Sequence, residues 1–218
     1  MNSDNFLYLF AALLLLLIAA PIAEHLQLAS PSLARMLTFS TLLAVGVWSL
    51  RGSTGVFRAG MGLAAAGIVL SIAAGSSNSA ALSYASLVAV LSFLILANAY
   101  AFRRVVFSRN VSTNRLTGAV CVYLMLGAIW ALVYALIDAI VPGSYTGLTA
   151  SPEHPWSSDW LYFSFVTMTT LGYGDFSPIS SPARVAAYMQ AVFGQLYIAI
   201  LVAGLVGAYL TEHLSADE

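Results

Sequence analysis

The chain has 218 residues, of which 60% are hydrophobic and 8% charged, and its formal net charge is -1. Because a soluble domain carries about 25% charged residues, this composition excludes a soluble enzyme, and the lack of excess positive charge excludes a nucleic-acid binder. With 1 cysteine, the chain can form neither an intrachain disulfide nor a cysteine-based metal cluster. We therefore expect a polytopic membrane protein with membrane lipid as a partner, no nucleic acid and no cofactor.

The hydropathy pattern predicts six membrane-spanning helices, each of which needs about 20 mainly apolar residues. The first is expected to remain in the protein, because residues 1–4 lack the positive charge that opens a signal peptide. Turn residues at 75–79 divide a long uncharged stretch into the third and fourth spans. The second predicted span lies between Arg35 and Arg51 and can extend back to Ser32. The other predicted spans are residues 6–23, 59–75, 80–102, 116–141 and 185–210.

The distribution of arginine predicts the orientation of these spans. All 8 basic residues are arginine, and with both termini in the cytoplasm most of them fall in inner loops. The positive-inside rule favours that arrangement, so the sequence predicts a multi-pass protein of the cell membrane with both termini cytoplasmic. The inner arginines are then Arg51, Arg58, Arg103, Arg104, Arg109 and Arg115, and the outer ones are Arg35 and Arg184.

Residues 105–115 form a polar, arginine-containing stretch that predicts a cytoplasmic linker between two units. Residues 1–104 are a predicted four-helix transmembrane unit, and residues 116–218 hold the last two spans with a long connection between them. A voltage sensor needs arginines along its fourth helix, whereas Arg103 and Arg104 stand only at the cytoplasmic end of that helix. We expect a unit without sensor arginines, which leaves a scaffold role or the binding of lipid or another ligand.

The connection between the last two spans contains a short helix that is not expected to cross the membrane. Ser157 or Ser158 is a suitable N-cap for it. Asp159 suits the positive end of a helix dipole, and the apolar run 160–166 is too short to span a bilayer. We therefore predict a re-entrant helix, whose irregular continuation is tolerated only where it is buried in protein or lines water.

The residues after this helix can present backbone oxygens to a cation. Gly172 and Gly174 permit positive φ angles, which lets successive carbonyl groups turn toward one side. A backbone lined by carbonyls offers acceptors and no donors, an environment that suits a dehydrated cation. Because one chain supplies too few oxygens to replace a hydration shell, four chains around an axis are expected.

Residues 167–175 read TMTTLGYGD, which resembles the signature of the potassium-channel superfamily. The resemblance extends from about residue 116 to 210 and is to prokaryotic-type, six-span members that resemble voltage-gated channels, although the arginine sensor is missing. It implies an all-α membrane protein with six transmembrane helices, a re-entrant pore helix and a selectivity-filter loop. It also implies a homotetramer that conducts K⁺ passively, and without sensor arginines we expect no voltage dependence. The implied filter residues are Thr170, Leu171, Gly172, Tyr173 and Gly174, of which the first four bind K⁺.

The same resemblance implies a set of residues that support the filter from behind. The family often has tryptophans where Tyr162 and Phe163 stand, and some members have a buried acid in place of Val166. A buried carboxylate needs a hydrogen-bond donor, and phenylalanine has none to give. We therefore predict that Tyr162 donates to Asp175. The implied supporting residues are Asp175, Tyr162, Phe163, Val166 and Thr167.

On the last span, Gly194 matches the hinge glycine of the family's inner helix. A mid-helix glycine costs up to about 1 kcal/mol relative to alanine, so it serves either bending or close packing against the pore helix. Residues three to four apart share one helix face, and Val202 with Val206 is expected to form a ring that gates by dewetting. Gln195 lies nearest the filter and is expected to hydrogen-bond Thr170 or cavity water. The implied hinge and cavity residues are Gly194, Gln195, Ile198, Val202 and Val206.

Two alternatives to a potassium channel stay open. One is a weakly selective cation channel, and the other is a polytopic transporter, sensor or membrane enzyme in which Gly-Tyr-Gly-Asp is only a loop. A transporter often has two repeated halves with broken helices, but only one half of this sequence has a re-entrant element. A membrane enzyme needs convergent acids or histidines inside its spans, and the predicted spans offer only Asp138. We therefore predict a channel and not an enzyme.

Overall fold

The computed structural model describes residues 5–25, 54–77, 79–106, 113–147 and 158–214. These residues are almost entirely helical, and a two-stranded antiparallel pairing lies at one end of the last three helices. The helices are α1 (Asn5–His25), α2 (Thr54–Ser77), α3 (Ala80–Val106), α4 (Thr113–Ile140), α5 (Ser158–Met168) and α6 (Ser181–Leu214). The strands are β1 (Tyr145–Thr146) and β2 (Ser177–Pro178), with Tyr145 opposite Pro178 and Thr146 opposite Ser177.

Four of the described helices are long and apolar enough to cross a membrane. They coincide with the third, fourth, fifth and sixth predicted spans, so an all-helical, multi-pass membrane protein is confirmed. The first predicted span lies within α1, whose 21 residues include the shorter apolar stretch Phe6–Leu15. The second, between Arg35 and Arg51, falls outside the described residues, so a total of six spans stays a prediction. The four spans are Thr54–Ser77, Ala80–Val106, Asn114–Ile140 and Ser181–Gly204.

The turn predicted between the third and fourth spans separates α2 from α3. The hydroxyl groups of Ser76 and Ser77 donate to the Ala73 carbonyl at 3.0 and 2.6 Å, so the last turn of α2 is bonded by its own side chains. Serine hydroxyls compete with the backbone for such carbonyls and favour helix ends. On the other side, the Ser79 carbonyl accepts from the Ser83 amide at 3.2 Å and begins the hydrogen bonding of α3.

The predicted linker is helical at both of its described ends. Helix α3 continues through Arg103 and Arg104 to Val106, and α4 begins at Thr113. Arginines in the last turn of a helix complement its dipole, which explains why these charges do not end α3. The Arg115 Nε donates to the Val105 carbonyl at 2.9 Å. This bond joins the end of α3 directly to the start of α4 of the same chain.

A large apolar core packs α1, α3 and α4 together. Gly118 on α4 allows the close approach, because a Cβ there would lie 3.0 Å from Val105 and 3.2 Å from Phe6. The Arg104 guanidinium lies 5.6 Å from the centre of the Phe6 ring, within the range of a cation–π interaction. The first helix therefore packs on α4, the first of the last three helices. The most buried members of this core include Leu9, Leu87, Val90, Phe93, Leu94, Val122 and Met125.

A second, aromatic core joins the C-terminal end of α4 to α5. Phe163 on α5 lies 4.7 Å from Tyr134 and stacks on Phe176 at 4.6 Å, measured between ring centres. Tyr145 of β1 meets Trp160 edge-on at 5.1 Å. Aromatic pairs at these separations add to the stabilisation from burial. They fix α5 between α4 and the segment that follows residue 175.

Candidate functional site

Helix α5 is too short to cross a membrane. It has 11 residues, so it is about 16 Å long, roughly half of the 30 Å or so of a bilayer's hydrocarbon core. It begins at Ser158 with Asp159 in its first turn, as expected for an acid beside the positive end of the helix dipole. Its buried residues are Trp160, Phe163, Ser164, Val166 and Met168.

The loop after α5 alternates between left-handed and ordinary backbone. The φ angle is 60° at Thr170, 55° at Gly172 and 80° at Gly174, whereas Leu171 and Tyr173 between them do not have positive φ. Regular alternation of this kind allows successive carbonyl groups to face one side, as the two glycines predict. The left-handed threonine was not foreseen, because a β-branched residue rarely adopts positive φ.

The first residues of the loop are hydrogen-bonded to the last turn of α5. The Leu171 and Gly172 amides both donate to the Val166 carbonyl, at 3.0 and 3.3 Å, and the Thr170 amide donates to the Thr167 carbonyl at 3.1 Å. Val166 and Thr167 thus contact the loop through their backbone oxygens. The sequence interpretation considered only the side chain of Val166, and a backbone contact of this kind leaves no signal in residue type.

The outer end of the loop is held by the predicted tyrosine. The Tyr162 hydroxyl donates to Asp175 Oδ2 at 2.6 Å, and the Phe176 amide donates to the other carboxylate oxygen, Oδ1, at 3.0 Å. The bond to Asp175 raises the pKa of Tyr162 to about 12, so the phenol keeps its proton and remains a donor. Phe163, which offers no donor, stacks on Phe176.

A second support for the outer end was missed by the sequence interpretation. Gly147 has a φ of 87°, and a Cβ at this position would lie 1.9 Å from the Asp175 carbonyl oxygen. Only glycine permits this approach, which brings the segment after α4 against the end of the loop. Upstream, Asp138 Oδ1 accepts from the Ser144 amide at 3.1 Å, and the Ser144 carbonyl accepts from the Ile179 amide at 2.8 Å. Asp138 therefore organises this turn.

The inner helix contacts the end of α5 through Gly194. A Cβ on Gly194 would lie 2.7 Å from Met168 Cγ and 2.8 Å from the Met168 carbonyl oxygen. Gln195 Nε2 donates to that same oxygen at 3.4 Å, whereas Thr170 or water was the expected partner. Ile198 and Val202 are exposed in the single chain. The side chain of Val206 lies outside the described residues.

The loop offers an ion uncharged polar atoms as ligands. Within the ranges that the structure describes, no group of three or more histidine, cysteine, aspartate or glutamate residues could hold a metal. Backbone carbonyls and the Thr170 hydroxyl are uncharged acceptors. Such a site suits a weakly held, dehydrated monovalent cation better than a tightly bound metal.

Comparison with known proteins finds similarity in the region that contains this loop. Residues 118–211 match the family model described as "Ion channel", a segment that contains most of α4, the re-entrant helix, the loop and most of α6. The match covers less than half of the chain, and over this segment the chain is similar to ion channels. The segment includes every residue that the sequence predicts for the filter, its support and the cavity.

Two plant proteins match part of the same region. "Two pore potassium channel c" of Oryza sativa subsp. japonica is 38% identical over 78 residues, which are 35% of this chain and 17% of that protein. "Two-pore potassium channel 5" of Arabidopsis thaliana is 36% identical over 66 residues, 30% of this chain and 15% of that protein. The chain thus matches only a small part of each relative, and no solved structure matches it significantly. Together with the apolar helices, these similarities support the prediction of a membrane channel rather than an enzyme.

Removing the Tyr162 hydroxyl is expected to shorten the life of the conducting loop. Tyr162→Phe keeps the ring but leaves Asp175 with one donor instead of two, so single-channel bursts in a planar bilayer should shorten several-fold. Tyr162→Trp is the matched control, because the indole N–H restores a donor at this position. Bursts of equal length in Tyr162→Phe and the unmodified protein would show that the hydrogen bond does not hold the loop.

Proposed function

We propose that the chain is one subunit of a homotetrameric, K⁺-selective channel of the cell membrane. The observation that carries the proposal is the alternation of left-handed backbone at residues 170, 172 and 174, in a loop held at both ends. The names of the two plant relatives support K⁺ as the conducted ion. The resemblance of residues 167–175 to the potassium-channel signature agrees with that assignment.

Conduction in this proposal needs no chemical step and no cofactor. Carbonyl oxygens of Thr170, Leu171, Gly172 and Tyr173 form four rings around the axis, and the Thr170 hydroxyl adds an innermost one. These oxygens replace the hydration shell of K⁺ as it passes. The C-terminus of α5 carries the negative end of its helix dipole, which favours a cation beneath the rings.

The exposure of the loop in a single chain supports assembly. Leu171 and Tyr173 are 53% and 66% exposed, and Gly172 and Gly174 are exposed as well. Irregular backbone at membrane depth cannot face lipid, because lipid offers its polar groups no hydrogen-bond partner. Three further copies around an axis would cover the outer side of each loop and leave its carbonyls facing ions and water.

In this proposal, the helices that precede α4 act as a scaffold that packs against α4. Within residues 80–106, the described length of α3, arginine occurs only in the last turn, at Arg103 and Arg104. Charges at a helix end move through little of the membrane potential, so they contribute little of the roughly 2.3 kcal/mol available per charge per 100 mV. Open probability is therefore expected to depend only weakly on voltage, and both termini are proposed to be cytoplasmic.

Recording from the full chain in a planar bilayer, with K⁺ on one side and Na⁺ on the other, tests these proposals together. The recording should give a reversal potential close to that of K⁺ and a shallow conductance–voltage relation. Chemical cross-linking of the same protein should give tetramers. A reversal potential midway between the two ions would indicate a weakly selective cation channel. Substrate uptake without single-channel steps would indicate a transporter, and a steep relation equivalent to several gating charges would contradict the missing sensor.

A further inference from the structure

Three polar side chains lie completely buried behind the re-entrant helix, one on each of the last three helices. They are Tyr134 on α4, Ser164 on α5 and Gln190 on α6, and each has a relative exposure of 0%. The sequence interpretation did not identify this set, because each residue stands alone in an apolar run. Nothing in the proposed conduction path uses it.

The three side chains form a continuous hydrogen-bonded chain. The Tyr134 hydroxyl donates to Gln190 Oε1, and Gln190 Nε2 donates to the Ser164 carbonyl at 3.0 Å and to Ser164 Oγ at 2.7 Å. Ser164 Oγ in turn donates to the Gly127 carbonyl at 2.7 Å. Both amide hydrogens and the amide oxygen of Gln190 are therefore used, and the protons are distributed consistently.

This buried polar arrangement calls for an explanation, because apolar side chains would fill the same space without the cost of an unpaired polar group. A buried amide or hydroxyl without a partner is costly, and lipid provides no substitute partner. What directional bonds add to a packed core is a defined position of one element against another. Here they fix α5 against α4 and α6 at the same point.

That point is one turn from the groups that hold the loop. Thr167 is three residues after Ser164, and its carbonyl accepts the Thr170 amide at 3.1 Å. The Val166 carbonyl, which accepts the Leu171 and Gly172 amides, is two residues after Ser164. A rotation or shift of α5 against its neighbours would therefore move the Val166 and Thr167 carbonyls, which accept hydrogen bonds from the loop amides.

We propose that Tyr134 and Gln190 are positioning residues that hold α5 in the register in which the loop binds K⁺. Because Gln190 lies on α6, the same bonds join the position of the inner helix to the affinity of the loop for K⁺. The inference rests on the proposed K⁺ conduction. It adds residues outside the loop and its immediate support as determinants of ion occupancy.

The test measures K⁺ binding to the purified, full-length assembly by titration calorimetry in Na⁺ buffer. The variants are Tyr134→Phe, which removes a single oxygen atom, and Gln190→Met, which keeps the size of the side chain. Tyr123→Phe is the matched control, because the Tyr123 hydroxyl is also buried on α4 but has no hydrogen-bond partner among the described residues. Thermal stability of the assembly at saturating K⁺ is recorded in parallel.

We expect the dissociation constant for K⁺ to rise about threefold to tenfold in both variants, in line with the loss of one or two buried hydrogen bonds, and to stay unchanged in Tyr123→Phe. A merely structural role would lower the thermal stability and leave the dissociation constant unchanged, which would overturn the inference. Failure of Tyr134→Phe to assemble would also overturn it, in favour of a role in folding. If the unmodified protein neither binds nor conducts K⁺, the proposed function fails instead.

Discussion

Replacing Gly172 with alanine is expected to abolish K⁺ flux through the reconstituted assembly. Gly172 has a φ of 55°, and an L-residue with a side chain loses about 1–2 kcal/mol in this left-handed region. In the proposed tetramer four subunits contribute to one pore, so its conducting arrangement would lose about 4–8 kcal/mol in total. A penalty of that size shifts the population away from it by a factor of about a thousand or more, since 1.4 kcal/mol is about tenfold.

Gly143→Ala provides the matched control for this prediction. Gly143 has a φ of 77°, and a Cβ there, as at Gly172, would meet nothing within 4 Å. The two substitutions therefore introduce similar backbone strain, but Gly143 lies in the turn after α4. Gly143→Ala should reduce the stability of the protein slightly and leave the flux per assembled channel unchanged. Normal flux and reversal potential in Gly172→Ala would contradict the role of left-handed backbone in conduction.

Thr170 shows that the protein accepts the same strain where other bonds offset it. Its φ of 60° is unusual for a residue other than glycine, but its amide donates to Thr167 and its hydroxyl donates to the Thr169 carbonyl at 2.6 Å. An alanine at 172 brings no hydroxyl with which to make a comparable bond. A threonine can therefore occupy the left-handed position 170, whereas the next left-handed position, 172, is a glycine.

Most of the loop was predictable because its determinants are local in sequence. The glycines at 172 and 174 and the short apolar run before them specify a re-entrant helix and an irregular segment without reference to the rest of the chain. The contact between Tyr162 and Asp175 is also close in sequence, at a separation of 13 residues. It could be inferred because a carboxylate beside a pore needs a donor and only one neighbour had one.

The supports that come from other helices were not predictable in the same way. Gly147 looks like an ordinary turn glycine until the fold brings the Asp175 carbonyl against it. From the sequence, Gln190 could equally line a pore or be buried, since the side on which its side chain lies depends on how α6 packs on α4 and α5. Periodicity identifies a helix and one face of it, but the partner of that face is set by packing.

The ends of the helices show the same limit on a smaller scale. The fourth span is predicted to end at residue 102, before Arg103 and Arg104, because charges leave the apolar part of a membrane. They end the apolar part of α3 but not the helix, which continues to Val106. Hydropathy therefore locates the membrane boundary, whereas the backbone follows dipole and hydrogen-bonding preferences beyond it.

The second large effect is expected at the contact between the inner helix and the end of α5. A Cβ added to Gly194 would lie 2.7 Å from Met168 Cγ and 2.8 Å from the Met168 carbonyl oxygen. The flexible side chain could move aside, but the carbonyl belongs to the backbone from which the loop begins. Gly194→Ala should therefore destabilise the assembly by about 1–3 kcal/mol per subunit through overpacking, and it should displace Gln195 from the same oxygen.

Thermal unfolding and single-channel recording on the same sample separate packing from bending at Gly194. Gly62→Ala is the control, because a Cβ there would meet nothing within 4 Å and the alanine should stabilise its helix by up to about 1 kcal/mol. Helix α6 runs without interruption from Ser181 to Leu214, so no bend is required at Gly194 in this structure, and the absent Cβ is already explained by Met168. Packing predicts that Gly194→Ala lowers the unfolding temperature and shortens openings through a displaced loop. If Gly194→Ala instead unfolds at a higher temperature, as Gly62→Ala should, and changes only the open probability, then the glycine serves bending and the contact with Met168 is incidental.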